Sequence, residues 1–465
     1  MLCFIGGQRE ENPVPCVHDF VEKEIQTFRT SLLKWYRENK RDLPWRKQLE
    51  NPDVNQRAYA VWVSEIMLQQ TQVATVISYY NKWMEKWPTV EDLAKANLEE
   101  VNEMWSGLGY YSRGRRLFEG AVKVVNSFQG RMPTTAESLL KELPGVGRYT
   151  AGAIASIANN QPTGLVDGNV IRVLSRMRVI GADSTSAAVQ DKIWSDANKL
   201  VDPVSPGDFN QGLMELGATI CTPKSPDCSK CPVSSICMAY IQTEIQKTKS
   251  SSKLVVNKPK EIPDIECLVD GCNLCIPEQE NYDESLGVQN YPRKGKKKAA
   301  REEVTDVCIV CQRCSSGGNK YLIVQRPSKG LLAGLWEFPS LVRDPNFGDI
   351  KTPICLLRDA CGVTCKLLST VLEGTVGEVT HIFSHIHQTY FVQKMTIDEG
   401  VVELPSNPKT ALKWVTKEEF LDAGTSTAMK KVFKAYENSC SPKQDKKKKE
   451  DPKQPSISAF FKKKS

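Results

Sequence analysis

No apolar run in the sequence approaches the roughly 18 residues needed to cross a bilayer, and the N-terminus lacks the basic start and apolar core of a secretory signal. These absences predict an intracellular protein without a membrane span. The chain has 16 cysteines, which in that setting argue against a disulfide framework and favour metal or cluster ligation where cysteines are closely spaced. The net charge is +7. Lysines cluster in residues 293–301 and 443–464, a pattern typical of polyanion binding or nuclear import and equally of solvated, disordered segments.

The chain is long enough for two folded domains with linkers and tails. After an N-terminal extension of residues 1–19, apolar residues recur at three- and four-residue spacing through residues 20–240 and predict an all-helical domain. Residues 241–303 are rich in Lys, Ser, Pro and Asn and predict a connector. Residues 304–437 predict a second domain, and residues 438–465 a charged tail that cannot fold alone.

Strand-like runs alternate with two short helical stretches in the second domain. Residues Lys320–Val324 and His387–Val392 have the composition of strands, whereas residues around Ile354–Cys361 and Lys417–Ala423 have that of helices. This mixture predicts an α+β domain.

A tight turn between two helical stretches is the first feature that points to chemistry. Thr134 and Glu137 predict a capping box for the first helix. Pro144, Gly145 and Gly147 then force the turn, where the backbone can approach a partner and the amides at the start of the second helix can hold a phosphate. A Pro-Gly turn of this kind is, by itself, most often only packing.

A carboxylate follows about twenty residues later, in the loop Val166–Val170, with Asp167 just ahead of another helix. The segments Leu143–Ala151 and Val166–Val173 together resemble the endonuclease III superfamily of DNA glycosylases, which combine a helix-hairpin-helix with a downstream aspartate. Cleaving an N-glycosidic bond builds positive charge on the deoxyribose, so the reaction needs an ionised carboxylate beside the sugar. The resemblance implies that Asp167 is this carboxylate. It leaves open whether Asp167 stabilises the cation, bonds to it transiently or activates water.

Glu65 is one acid inside a strongly apolar helical stretch. Burial there would raise its pKa and keep a neutral acid available near pH 7, whereas a solvent-facing glutamate is the alternative. The string Trp62–Val73 resembles the adenine DNA glycosylases of the MutY type. That resemblance implies that Glu65 protonates the departing adenine.

Tyr149 distinguishes between branches of this superfamily. Branches that also cut the strand carry a lysine at this place, because only an amine can form a Schiff base with the sugar. Tyr149 therefore favours base removal without efficient strand cleavage, and the resemblance implies that it lies near the sugar while Asn169 helps to place water or Asp167. Glycosylases fill the gap left by a flipped base with inserted side chains. By resemblance, Gln70 and Tyr110 have this role, with an exposed amide and a core aromatic as the alternatives.

Four cysteines have the spacing Cys-x6-Cys-x2-Cys-x5-Cys: Cys221, Cys228, Cys231 and Cys237. Four thiolates on a short loop fit either a [4Fe-4S] cluster or a tetrahedral zinc ion. The superfamily carries the same loop directly after its helical domain, and there it holds a [4Fe-4S] cluster. The resemblance therefore implies the cluster, together with an all-α helix-hairpin-helix glycosylase domain.

A second cysteine group lies in the connector: Cys267, Cys272 and Cys275. Animal adenine glycosylases are similar here and bind one zinc ion, although their first spacing is usually longer. The resemblance places His18, ahead of the first helix, as the fourth ligand. A rival set, Cys308, Cys311 and Cys314, falls in a predicted strand, whose alternation would turn Cys308 and Cys311 to opposite faces.

The segment Leu331–Pro339 resembles the Nudix-like C-terminal domain of adenine glycosylases. A working Nudix hydrolase needs a run of glutamates on one helix, and the corresponding Ile354–Gly362 has none, so we expect no pyrophosphatase activity. The resemblance implies that Phe383, Ser384 and His385 read the base opposite the adenine, while a strand-end turn is the alternative.

The tail pattern Gln454, Ile457, Phe460 and Phe461 resembles the peptide that docks on the replication sliding clamp. The resemblance implies that contacts with a checkpoint clamp and an AP endonuclease lie in the connector. Taken together, the resemblance covers residues 20–436 and the tail peptide. It implies a monomeric enzyme that removes adenine mispaired with 8-oxoguanine or guanine in duplex DNA. The lysine runs favour the nucleus, with the mitochondrion as a second compartment. The alternatives are a glycosylase/AP lyase on oxidised pyrimidines, a Nudix hydrolase and an inactive DNA-binding scaffold.

Overall fold

The computed structural model describes residues 16–252, 272–277, 279–295, 299–315, 317–327, 330–344, 351–365, 372–383, 385–404 and 410–440. The chain divides into two compact units, Met1–Lys298 and Ala299–Ser465. The boundaries of the five segments predicted from the sequence stay predictions. Within the described residues, no helix is both long and apolar enough to cross a membrane.

The first unit is helical, as predicted. Its helices are α1 (Glu22–Asn39), α2 (Pro44–Lys47), α3 (Val54–Leu68), α4 (Val73–Lys86), α5 (Val90–Lys95), α6 (Leu98–Met104), α7 (Ser112–Phe128), α8 (Ala136–Glu142), α9 (Arg148–Ile157), α10 (Gly168–Met177), α11 (Ala187–Leu200), α12 (Pro206–Thr219) and α13 (Met238–Ser252). Short 3-10 turns lie at Gln48–Glu50, Cys228–Lys230, Ser234–Ile236 and Gly287–Asn290.

Helix α3 is buried on all sides along most of its length. Asp53 caps its start by accepting a hydrogen bond from the Asn55 amide, and every residue from Ala58 to Met67 is buried. A helix that is apolar all round belongs in the centre of a domain rather than at its surface. This position carries Glu65 into the interior.

The turn between α8 and α9 is the predicted helix-hairpin-helix. The capping box predicted at Thr134 is wrong by one residue: Thr135 is the N-cap, its side chain accepts a hydrogen bond from the Ser138 amide, and the Ser138 hydroxyl accepts one from the Thr135 amide. The Ser138 hydroxyl thus has the role assigned to the acid of Glu137. Gly145 has φ +77, which other residues rarely adopt, and a Cβ there would lie 2.8 Å from the Arg116 side chain.

One core of the first unit lies between α1, α10, α11 and α12 and includes Phe28, Leu174 and Phe209, all fully buried. The four-cysteine loop packs on the same core. Cys237 and Val233 are buried within it, and the other three loop cysteines pack against it. The four-cysteine loop and α10, the helix that follows Asp167, therefore pack on the same core.

The second unit is α+β. Its strands are β1 (Arg301–Arg313), β2 (Asn319–Gln325), β3 (Trp336–Glu337), β4 (Ser340–Val342), β5 (Thr364–Cys365), β6 (Leu372–Ile382), β7 (Ile386–Asp398), β8 (Val402–Glu403) and β9 (Leu412–Val415), and its helices are α14 (Pro353–Cys361), α15 (Lys417–Asp422) and α16 (Thr427–Cys440). The main sheet has the order β3-β2-β1-β7-β6, with β4 on β1 and β9 on β2. Strands β1 and β7 are parallel, whereas the other pairs of this sheet are antiparallel. The predicted α+β architecture is confirmed.

Both faces of this sheet are covered. Cys311 belongs to the core that α15 and α16 cover, and Cys308 to the core that α14 covers. The two cysteines therefore lie on opposite faces, as the strand alternation predicts.

Candidate active site and metal-binding residues

A cleft of about 600 Å³ in the helical unit is lined by all four residues predicted to be catalytic, Glu65, Tyr149, Asp167 and Asn169. Three separate elements bring them there: the last turn of α3, the first turn of α9 and the start of α10.

Glu65 is 6% exposed, as its apolar surroundings predict. The pKa of its carboxyl is raised to about 7, chiefly by burial and to a smaller extent by the nearby Asp167, although hydrogen bonding from Tyr149 and the charge of Arg46 lower it. A substantial fraction of Glu65 is therefore a neutral acid at physiological pH.

Tyr149, in α9, contacts side chains from two other helices that line the cleft, α3 and α12. Its hydroxyl donates a hydrogen bond to Glu65 Oε2 over 2.6 Å and lies 3.2 Å from the sulfur of Met214. Burial and the two neighbouring carboxyls hold the pKa of the phenol well above its usual value. The side chain is therefore a neutral donor that fixes one carboxyl oxygen of Glu65.

Asp167 is the N-cap of α10. Its Oδ1 accepts from the backbone amides of Asn169 (2.9 Å) and Val170 (2.8 Å), and its Oδ2 accepts from the side-chain amide of Asn169 (2.8 Å). Burial raises the pKa of Asp167, while these three hydrogen bonds and the charge of Arg172 oppose that rise. The helix N-terminus also favours negative charge at this position. Capping and a place in the cleft are combined in one residue.

Arg172, which sequence reasoning missed, fixes the orientation of Asn169. Its Nη2 donates to Asn169 Oδ1 (2.7 Å) and to the Gly217 carbonyl (2.6 Å), and its Nε donates to the Cys221 carbonyl (2.7 Å). Because the amide oxygen of Asn169 faces Arg172, its amino group faces Asp167. Arg172 lies one helical turn after Asn169, and that spacing is the sequence signal that could have found it.

The cleft is also lined by polar residues that were not predicted from the sequence. Glu215, 1% exposed, accepts hydrogen bonds from Arg41 Nε (2.6 Å) and Arg46 Nη2 (2.9 Å), and Arg46 also donates to Gln211. Burial would raise the pKa of Glu215, but the two arginines outweigh it and the pKa lies below its usual value. These four polar side chains form one hydrogen-bonded group in the lining of the cleft.

The residues predicted to enter DNA lie at the ends of two helices, after α3 and before α7. Gln70 is exposed just after α3, lines the cleft and has φ +56. Tyr110 is 45% exposed just before α7 and has φ +48. Both lie in the left-handed region, which non-glycine residues rarely adopt.

The predicted base-reading turn lies between β6 and β7 in the second unit. Phe383 packs edge-on against the His381 ring at 4.6 Å, and its amide donates to the Ile386 carbonyl (2.8 Å). His385 lines a separate pocket of that unit. Ser384 lies outside the described residues.

The four loop cysteines line one pocket beside α10. Burial raises the pKa of Cys231 and of Cys237 to about 12, so as free thiols both would be neutral. Arg176 places Nη1 3.2 Å from Cys221 Sγ, where it would offset negative charge on metal-bound thiolates. Soft sulfur donors around one pocket, next to a buried cation, fit a metal centre.

A second candidate metal site joins residues from both ends of the first unit. Donor atoms of His18, Cys272 and Cys275 all lie within 4.8 Å of one another. His18 Nδ1 donates to the Arg178 carbonyl (2.8 Å), which leaves Nε2, 3.3 Å from Cys275 Sγ, to face the site. Three of the four predicted ligands thus meet, whereas Cys267 lies outside the described residues.

A helix-hairpin-helix beside a cleft that combines a buried glutamate with a helix-capping aspartate defines a base-excision DNA glycosylase. Comparison with family models agrees: residues 63–199 match the HhH-GPD superfamily of base excision DNA repair proteins, and residues 310–435 match the NUDIX domain.

The sequence is 51% identical to the adenine DNA glycosylase of Rattus norvegicus, over 92% of this chain and 82% of that protein. It is 53% identical to that of Homo sapiens, over 89% of this chain and 74% of that protein. The chain belongs to the adenine DNA glycosylases, the enzymes of base-excision repair that act on adenine in DNA, which confirms the prediction from the sequence. A solved complex of the C-terminal domain of mouse MUTYH with human PCNA is 36% identical, with a TM-score of 0.25, and covers 35% of this chain and 99% of that one.

Proposed function

We propose that this adenine DNA glycosylase hydrolyses the glycosidic bond of adenine mispaired with 8-oxoguanine or guanine, and that Glu65 and Asp167 are its catalytic carboxyls. The observation that carries the proposal is their meeting in one cleft with Tyr149 hydrogen bonded to Glu65. The test is release of free adenine from a duplex with adenine opposite 8-oxoguanine, measured in a single turnover.

The two carboxyls differ in what they can do. Protonated Glu65 donates its proton to a ring nitrogen of adenine as the C1′–N9 bond breaks and the bonding electrons leave with the base. The deoxyribose is left with positive charge, which ionised Asp167 stabilises. Water then adds to C1′ and gives a proton to a carboxylate of the site. Electrostatic, covalent and base roles for Asp167 all fit its place at the start of α10.

Asn169 and Arg172 support the charged form of Asp167. The hydrogen bond from Asn169 Nδ2 favours the carboxylate, and Arg172 prevents the amide from turning its oxygen to Asp167. Arg41, Arg46, Gln211 and Glu215 supply the wall against which a flipped adenine would be recognised.

Tyr149 supports hydrolysis over strand cleavage. A glycosylase/AP lyase on oxidised pyrimidines would need an amine at this position, and a phenol cannot form a Schiff base. We expect that borohydride traps no covalent complex between the protein and its product DNA; efficient trapping would favour the lyase mechanism.

The rate of adenine release should fall as the pH rises through about 7. The protonated form of Glu65 is fully populated below its pKa of about 7 and is lost above it. In Tyr149→Phe the hydrogen bond that lowers this pKa is gone, so the alkaline limb should move to higher pH. Single-turnover rates from about pH 6 to about pH 9 check this. A flat profile would show that Glu65 does not act as the acid.

Contacts with DNA follow from the same proposal. Gln70 and Tyr110 enter the duplex where the adenine leaves it, and the hairpin at Gly145 and Gly147 holds a phosphate. The turn Phe383, Ser384 and His385 reads the base opposite the adenine, because serine and histidine side chains donate and accept at a base edge.

Two metal centres are part of the proposal. Cys221, Cys228, Cys231 and Cys237 hold a [4Fe-4S] cluster, which supplies structural support to the loop beside α10 because cysteine occupies every iron. Cys272, Cys275, His18 and Cys267 hold one zinc ion, which ties the N-terminal segment to the connector.

Metal analysis of the purified chain should find about four irons and one zinc. His18→Ala should remove the zinc, leave the iron and lower the melting temperature, because the buried imidazole is one of the ligands. Cys355→Ser, in the second unit, is the matched control and should keep both metals. Zinc retained in full by His18→Ala would contradict the assignment.

The tail and connector are proposed as partner-binding segments. Gln454, Ile457, Phe460 and Phe461 lie outside the described residues, and their pattern supports docking on the sliding clamp. Replacing both phenylalanines by alanine should abolish clamp binding in calorimetry and leave adenine release unchanged; undiminished binding would refute the docking role. We also expect the connector to contact a checkpoint clamp and an AP endonuclease, and binding assays on a chain without the connector would test this. A nuclear location is a further prediction, which imaging of a tagged chain would test.

A further inference from the structure

Arg113 is buried although it lies at the second residue of α7, beside the segment that carries Tyr110. It is 9% exposed, and among the described residues no salt bridge joins it to a carboxylate. Instead it lies 5.4 Å from the centre of the buried Trp105 ring. A buried arginine without an acidic partner needs another set of acceptors.

Backbone carbonyls supply most of these acceptors. Nη1 donates to two carbonyl oxygens in the last turn of α3, those of Ile66 (2.9 Å) and Met67 (3.1 Å). The last four carbonyls of a helix have no partner within the helix, so Arg113 is a side-chain cap for α3. The cap holds the end of α3, two residues before Gln70.

The same guanidinium group contacts the residues on both sides of Gln70. Nη1 donates to the carbonyl of Gln69, the residue before it, and Nη2 lies 3.3 Å from Oγ1 of Thr71, the residue after it. Gln70 itself has φ +56. A non-glycine residue persists in that conformation only where its surroundings hold it.

Tyr110 is held in the same way. Nη2 donates to the carbonyls of Leu108 (3.2 Å) and Gly109 (3.0 Å), which directly precede Tyr110, and the Tyr110 ring lies over the guanidinium at 5.5 Å. Tyr110 also has a positive φ, of +48. One planar group with five donors thus contacts both strained segments at once.

We propose that Arg113 is a positioning residue that holds Gln70 and Tyr110 as one preformed wedge, so that base extrusion does not have to order the two side chains after DNA binds. This inference rests on the roles proposed above for Gln70 and Tyr110. Lysine keeps the charge but not the planar fork, so Arg113→Lys should loosen the wedge and slow extrusion by about 10- to 100-fold, the effect expected for losing one or two charge-assisted hydrogen bonds.

The experiment follows extrusion apart from chemistry. A duplex carries 2-aminopurine, fluorescent when unstacked, in place of the adenine opposite 8-oxoguanine, and stopped-flow mixing with excess enzyme gives the extrusion rate. Adenine release from the natural duplex is measured in parallel. In Arg113→Lys the extrusion rate should fall by this factor, and adenine release should slow wherever extrusion becomes slower than bond cleavage. Arg115→Lys, which alters a partly exposed ion pair with Glu119 on the same helix, should change neither rate.

Thr71→Val is a milder second variant, because it removes one acceptor of Arg113 without changing a buried charge. It should slow extrusion several-fold even if Arg113→Lys folds poorly. In a chain that also carries Gln70→Ala and Tyr110→Ala, Arg113→Lys should add little, since the wedge is already gone.

Extrusion that stays at the wild-type rate in both Arg113→Lys and Thr71→Val, or a full additional loss without the wedge side chains, would overturn the proposal. Failure of the proposed function would be distinguishable from failure of the Arg113 proposal, because the wild-type enzyme would then release no adenine at all.

Discussion

Replacing Glu65 with glutamine should lower the single-turnover rate of adenine release by about 10²- to 10⁴-fold, the range that a positioned general acid supplies. Glutamine fills the same volume in the buried last turn of α3, and its amide oxygen can still accept the hydrogen bond from Tyr149. The variant therefore removes the proton and little else.

Glu85→Gln, on the exposed face of α4, is the matched control and should leave the rate unchanged. Thermal melting checks that both variants fold. A rate for Glu65→Gln within about threefold of the wild type would show that Glu65 is not the general acid.

Asp167→Asn should lower adenine release by about 10³-fold or more, because the site loses the negative charge that faces the developing cation. The asparagine oxygen can still accept from the amides of Asn169 and Val170, so the cap of α10 is kept. Its amino group would face that of Asn169, and the loss of this one hydrogen bond cannot account for an effect of that size.

Asp53→Asn changes another aspartate that caps a helix, that of α3, and should leave the rate of adenine release unchanged. The two variants together separate a capping contribution from a chemical one. Full activity in Asp167→Asn would contradict the mechanism even if the enzyme acts on adenine.

The parts of the site that could be predicted from the sequence are those for which neighbouring residues give the evidence. An acid inside an apolar string predicted the burial of Glu65, and an aspartate before Gly and Asn predicted a helix start at Asp167. The architecture followed from periodicity and composition. In the second unit, α16 was not predicted, although Ala428, Val432 and Tyr436 have helical spacing, because the lysines between them mask an apolar face that packing against the sheet stabilises.

The arginines of the site could not be predicted in the same way. Arg113 bonds to carbonyls more than forty residues earlier in the chain, and Arg41 to an acid 174 residues away. An arginine that caps a distant helix has the same local sequence as one in solvent. Likewise, the contact between His18 and Cys275, which are 257 residues apart, could not be predicted from spacing within the chain. Only the family resemblance predicted it.

The central claim is that the cleft removes adenine by hydrolysis, and release of adenine from a duplex with adenine opposite 8-oxoguanine tests it most directly. In a single turnover the wild-type enzyme should release free adenine and leave the strand intact until alkali is added, while a duplex with thymine glycol should stay unchanged. No release of adenine, or release of the oxidised pyrimidine with cleavage of the strand, would contradict the account.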